Sequence, residues 1–383
     1  MALHREADAR AEKQETRSGT RSQNFGVSMT QICLVTGGAG FIGCAISEAL
    51  VKSFDRVVAV DNLHPQIHKS GTRPAALHPQ VELIVADVTE TATWSDVLSK
   101  HRPTTIVHLA AETGTGQSLT EATRHAQVNV VGTTRMLDAL AANEIKPARM
   151  VLSSSRAIYG EGEWLDASGN SHYPGQRSAQ MLEQGQWDFQ GLRSQPFRCA
   201  ATRPDPTSVY GATKLAQEHI LSAWCLAFGT SLNVLRLQNV YGPGQSLTNP
   251  YTGIVSLFAR LAKAGKSIPL YEDGKMLRDF VFIDDVADAI VAAATSDKSG
   301  ILADIGTGES LSIEQLAGII AEIYDAPPPH ITAQYRNGDV RHAACNIDAS
   351  LGTLGWSPKV DAATGVRRLC AWIDQREGEL EQL

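Results

Sequence analysis

The chain has 383 residues, a formal net charge of −7, an apolar share of 43% and a charged share of 20%. This is the composition of an ordinary globular protein with a mildly acidic surface, and it argues against a nucleic-acid role, which calls for a basic face. The length allows two domains, and no uninterrupted apolar run reaches the roughly 18 residues of a membrane-spanning helix.

Residues 1–28 are polar, highly charged and without the apolar stretch of a signal peptide, so they are expected to be a disordered tail. Met29 stands directly before the first apolar run and is a candidate natural start. Six cysteines (Cys33, Cys44, Cys199, Cys225, Cys345 and Cys370) form no Cys-x-x-Cys pair. They read as reduced thiols of a cytoplasmic protein, with no metal site.

Short apolar runs then alternate with helical patterns. Strands are expected at 32–36, at 56–60 ending on Asp61, at 81–85 ending shortly before Asp87, at 105–109 and at 150–153. A long helical region spans about 119–143. Residues 161–205 break the rhythm with Gly, Gln, Ser and Pro, and Trp164, Trp187 and Phe189 favour a packed insertion over the sheet edge or the site mouth. A helix over about 208–228 and a strand at 233–237 resume the pattern. Elements beyond Tyr241-Gly-Pro-Gly244 are smaller and mixed, except that 284–296 should pack back on the first domain. The expected fold is α/β: a Rossmann-type doubly wound parallel sheet on residues 29–242 and a smaller mixed α/β substrate domain on 243–383.

Gly37-x-x-Gly40-x-x-Gly43 follows a strand and opens a helix. Glycines in that pattern allow a tight turn, close approach of a pyrophosphate and close helix packing, and the helix N-terminus supplies free N–H groups. Phe41 and Ile42 lie inside the loop and join it as cofactor contacts. Asp61 stands about 20 residues on, where a carboxylate accepts from the adenosine ribose hydroxyls and repels a 2′-phosphate, so NAD is expected over NADP. Asn62 accompanies it, Asp87 and Val88 are placed near the adenine, and Leu109, Ala110 and Ala111 flank the cofactor at the end of the fourth strand.

Tyr210 and Lys214 are four residues apart on a helix and share a face. A free phenol, with a pKa of about 10, is a poor base at neutral pH. A fixed cation favours the phenolate, and Lys214 together with the nicotinamide is the expected source. Ser155, at a strand end, could align the reacting hydroxyl with Tyr210. His108, within a strand, reads as a packed core histidine.

TGGAGFIG, Asp61, HLAAE at 108–112, SSSRAIYG at 153–160, YGATK at 210–214, NVYGPG at 239–244 and RDFVFIDDV at 278–286 together resemble an extended short-chain dehydrogenase/reductase. The closer likeness is to the nucleotide-sugar epimerase and dehydratase branch. The resemblance implies that Tyr210 takes the proton of a sugar hydroxyl as hydride passes to NAD, with Ser155 and Lys214 completing the catalytic set. Dehydratases of the branch carry an Asp-Glu pair where this chain has Arg156 and Ala157. Neither residue can act as a carboxylic acid or base, which demotes dehydration. Oxidation at C4 followed by hydride return to the opposite face, a 4-epimerisation, needs no further base.

Arg156 in its motif and the insertion are similar to those of dTDP-L-rhamnose 4-epimerases, which form dTDP-6-deoxy-L-talose. UDP-hexose 4-epimerisation is the alternative, followed by dehydration. A non-catalytic NAD sensor is disfavoured because Tyr210 and Lys214 are both kept. The resemblance further implies that Arg278 and Arg341 grip the substrate diphosphate, that Asn239 and Arg156 contact the sugar or phosphate, and that Thr113 and Thr115 line the sugar pocket. It also implies a homodimer paired through the helices near 119–143 and 208–228.

Overall fold

The computed structural model describes residues 30–247 and 253–376. The expected N-terminal tail therefore lies outside the described residues. Seven strands form one parallel sheet: β1 (Ile32–Thr36), β2 (Arg56–Asp61), β3 (Glu82–Val85), β4 (Thr105–His108), β5 (Arg149–Ser155), β6 (Ser231–Leu237) and β7 (Leu302–Ile305). Their order is β7-β6-β5-β4-β1-β2-β3. The chain winds outward in both directions from the β1–β4 neighbours, which leaves a crevice at the carboxyl ends of these two strands.

The central strands are largely apolar because both faces are covered. Along β1, Cys33 and Val35 enter one core with Ile46 and Leu50 of α1 (Phe41–Ser53). Leu34 enters the opposite core with Trp94 of α2 (Thr91–Lys100), Met136 of α3 (Thr133–Ala142) and Leu221 of α4 (Val209–Phe228). Helix α5 (Ile283–Thr295) joins the first face through Val286, Ala289, Ile290 and Ala293. The sheet thus recruits α5 and β7 from beyond residue 243. β7 is a strand of four residues at the sheet edge, too short to stand out by pattern.

The helical region expected over 119–143 is interrupted. A helical turn at Ala122–Ala126 passes into a π-helical stretch, Gln127–Gly132, before α3. Asn129 sits in this wide turn with its side chain buried. It accepts from the Glu112 amide at 2.8 Å and donates to the Glu112 carbonyl at 3.0 Å and to Thr213 Oγ1 at 3.0 Å. The turn therefore pins the segment after β4 to α4, as such bulges often do at functional sites.

The rest of the chain builds a second core from the helices Ile254–Lys263, Ile313–Ile323 and Ala362–Asp374, with Phe258, Leu316 and Leu369 at its centre. The short strand Leu277–Arg278 lies between Leu311–Ser312 and His342–Ala343.

The insertion is packed, with Trp164 and Phe197 inside. Trp164–Leu165 pairs with both Ser171–His172 and Arg193–Ser194, and the buried Trp164 meets Phe189 edge-on at 5.0 Å. Phe197 bonds through its backbone to Ala344 and Asn346 at 2.8 Å each. Arg177 makes a two-pronged pair with Glu272, 2.9 Å on each arm. Arg341 is 1% exposed, and all five of its N–H groups are taken up by Asp188, Glu272 and Asp273. The insertion is thus stitched to the second core by charges of which Arg177, Glu272 and Arg341 are buried and Asp188 is exposed.

Breaking a buried pair by removing one partner strands the other charge. Arg341→Ala should therefore cost about 3 kcal/mol of stability, read as a lower urea midpoint with unchanged slope. An unaltered midpoint would mean that these carboxylates are satisfied without it.

Candidate active site

The glycine loop starts the site. Gly37 has φ +67°, and a Cβ there would lie 2.7 Å from the Ala110 amide nitrogen, so only glycine lets the loop pass over the end of β4. A Cβ on Gly43 would lie 2.5 Å from the Gly38 carbonyl oxygen, which explains the close seat of α1. Gly40 caps α1 with no side-chain hydrogen bond, so the first-turn N–H groups have no side-chain partner.

From the loop a cleft runs in both directions. One arm is lined by Gly37, Gly40, Asp61, Asn62, Asp87 and Val88, and the other by Ser155, Arg156, Tyr210, Lys214 and Asn239. Leu109, Ala111 and Thr113 line both arms and join them, while Ala110 faces the first. Phe41, Ile42 and Thr115 border the second arm. These residues fit NAD: an extended groove, a glycine cradle that a Cβ would fill, and a carboxylate at the far end. Among the described residues no His, Cys, Asp and Glu cluster could hold a metal ion.

Asp61 is buried, and its two oxygens accept from the Ala39 and Leu63 amides at 3.0 and 2.9 Å. Each carboxylate oxygen keeps a second lone-pair direction. Asp87 accepts from Thr89 and from Asn62 Nδ2 at 2.9 Å, and these bonds hold its carboxyl below the usual range against the effect of burial.

On the catalytic side, Ser208 caps α4 by accepting from the Gly211 amide at 3.0 Å. Tyr210 thus stands in the first turn of α4, facing the end of β5. Burial pushes its phenol up, while the Ser155 hydroxyl, its hydrogen-bond partner, and the Arg156 charge pull it down. Lys214 is 2% exposed and donates to Gln217 Oε1, which lies within the core of α4 and β4. Burial pushes its ammonium down to about 7, against the pull of Glu218. Lys214 lines the cleft together with Tyr210, with Gln217, one turn along the helix, as its hydrogen-bond acceptor.

His108 is a bonded core residue, meeting Thr36 Oγ1 at 2.7 Å and Thr133 Oγ1 at 2.9 Å. Burial and the nearby Lys214 push its imidazole down to about 3, so it is neutral.

Thr113, Thr115, Arg156 and Asn239 line the cleft as anticipated, but the two arginines expected at a diphosphate do not. Arg278 is buried and donates to the carbonyls of Leu277, Val340 and Arg341 at 2.7 to 3.2 Å. Arg341 is enclosed by carboxylates, so no donor is left for a phosphate. Neither is among the residues that line the two arms named above. Gln238 and Gln245 line it instead, and sequence reasoning did not single them out.

Residues 33–184 and 185–306 match the NAD dependent epimerase/dehydratase family. The chain belongs to that family. Among members of this family, it is 59% identical over 343 residues to the dTDP-L-rhamnose 4-epimerase of Burkholderia thailandensis, covering 89% of this chain and 94% of that protein. It is 29% identical to the UDP-glucose 4-epimerase of Mycolicibacterium smegmatis, covering 88% and 96%. Among solved structures, UDP-glucose 4-epimerase with UDP-glucose from Thermotoga maritima superposes with a TM-score of 0.74 at 27% identity, covering 90% of this chain and 99% of that one. The Thermus thermophilus UDP-glucose 4-epimerase complex with NAD gives 0.71 at 28% identity, covering 90% and 100%. No helix among the described residues is long and apolar enough to cross a membrane.

A hydrogen bond to a charged group is worth about 1.5–3 kcal/mol, so Asp61→Ala should weaken NAD binding at least tenfold and narrow the preference over NADP. Titration of both cofactors by calorimetry tests this, and an unchanged ratio would remove Asp61 from the ribose site.

Proposed function

We propose that this protein is an NAD-dependent dTDP-L-rhamnose 4-epimerase, interconverting dTDP-L-rhamnose and dTDP-6-deoxy-L-talose through a transient 4-keto sugar. The observation that carries the reading is the 59% identity to a dTDP-L-rhamnose 4-epimerase over nearly the whole of both chains. The cleft agrees with it: Ser155 and Tyr210 meet there, and Arg156 and Ala157 supply no carboxyl group for dehydration.

NAD, when bound, supplies a hydride acceptor that becomes the donor in the return step. The glycine loop, Asp61 and Asp87 would hold its adenosine and pyrophosphate side, and Lys214 and Tyr210 its nicotinamide side. Tyr210 as phenolate takes the proton from the C4 hydroxyl. Ser155 bonds the same oxygen and keeps it in line with Tyr210. After the keto sugar turns over in the cleft, Tyr210 returns the proton to the new C4 oxygen. Asn239, Thr113 and Thr115 hold the sugar, and Arg156 faces it beside Asn239.

We further propose that the protein works in the cytoplasm as a homodimer. Support comes from α4, where Leu226 is 86% exposed.

Purified protein incubated with a panel of dTDP- and UDP-sugars, without added NAD, should convert dTDP-L-rhamnose, with the C4 epimer identified by NMR. Conversion confined to UDP-hexoses would replace the substrate assignment, and loss of water from the sugar would replace the reaction. In Tyr210→Phe, turnover should fall by at least about 100-fold, the scale of a lost general base, with NAD still bound.

A further inference from the structure

We propose that Gln66, Gln117 and Arg124 form a clasp across the cofactor groove, and that this clasp sets how fast NAD leaves the protein. The sheet topology places it. Gln66 belongs to the segment that follows β2, and Gln117 and Arg124 belong to the segment that follows β4. In the sheet β1 lies between those two strands, and the glycine loop starts at its carboxyl end. A bond from the β2 segment to the β4 segment therefore spans the groove that the loop opens. Gln66 and Arg124 both line the arm of the cleft that holds Gly37, Asp61 and Asp87.

The side chains make this crossing three times. Gln66 Nε2 donates to Gln117 Oε1 at 3.2 Å, and Gln117 Nε2 donates back to Gln66 Oε1 at 3.3 Å. Arg124 Nη2 donates to the same Gln66 oxygen at 3.1 Å. The β4 side of the clasp is firmly held. Gln117 is buried and donates to Glu121 at 2.9 Å. Arg124 donates to both oxygens of Glu112 at 2.9 Å each and to Glu121 at 2.8 Å. Glu112 is itself bonded through its backbone to the buried Asn129. Gln66 instead rides on a surface turn closed by local bonds, in which the Ile67 and His68 amides both donate to the His64 carbonyl at 2.9 Å. Opening the clasp thus means swinging the loop after β2, with the β4 segment as the fixed jaw. Bonds between neutral amides are worth little where water competes, and the charge-assisted bond from Arg124 is the stronger member. A reaction that oxidises a carbon and then returns the same hydride needs one cofactor molecule at both steps. That use of the clasp rests on the 4-epimerase reading, whereas its hold on NAD does not.

The test is a chase. Protein loaded with isotope-labelled NAD is mixed with excess unlabelled NAD, and the label retained on the protein is followed in time. Gln66→Ala and Arg124→Gln should each release NAD about tenfold faster than wild type, the scale of one lost hydrogen bond to a charged group. Gln66 is half-buried in its surface turn, so its truncation keeps the test clear of unfolding. The double variant should be no faster than Gln66→Ala, because the bond from Arg124 is already gone there. Release at the wild-type rate in both single variants overturns the proposal. So does a double variant in which the two effects multiply in full, because Gln66 and Arg124 would then act on NAD separately and not through each other. If wild type leaves dTDP-L-rhamnose unchanged while the chase separates the variants, the substrate reading fails and the clasp stands.

Discussion

The close approach of the Gly211 backbone to the Ala157 carbonyl oxygen governs how the catalytic side is assembled. A side chain at that position would hold α4 away from the end of β5. The phenol of Tyr210 would then lose Ser155, at the strand end. The parallel sheet supplies the stage, because its carboxyl ends share one edge of the molecule. The contact between a helix start and a strand-end turn decides which side chains meet there.

A second constraint is electrostatic. The molecule buries several arginines, and their surroundings separate them by task. Arg177 and Arg341 are saturated by Glu161, Glu272, Asp273 and Asp188, and they stitch the insertion to the second core. Arg236 is likewise saturated, by Glu218 at 2.8 Å, with Tyr159 donated to at 2.9 Å. Arg278 is buried against backbone carbonyls, and the half-buried Arg156 faces the cleft, bonded through Nε to the Asn239 amide.

Much of this was legible in the sequence, because it depends on local pattern. The glycine spacing, Asp61 two strands into the chain and the Tyr210–Lys214 interval are features of single elements whose period fixes the geometry. Arg341 was not legible, since its partners Asp188 and Glu272 lie 153 and 69 residues away in the chain. A motif can place an arginine on a strand, but it cannot show which carboxylates the fold will fold over it. The bond from Lys214 to Gln217, three residues along, is likewise a matter of side-chain placement that pattern does not carry. The π-helical stretch also escaped pattern reading, because Asn129 looks like any polar residue until its partners at Glu112 and Thr213 are known.

The anchoring of residues 161–205 bears on how sugar enters and leaves. The segment is bonded to β7 through Cys199 and Leu302, to the strand after Arg341 through Phe197, and to Glu272 through Arg177. Swinging the second core away from the insertion would part the buried Arg177–Glu272 pair, a costly step, and the open mouth of the groove is the route for sugar that leaves this pair intact.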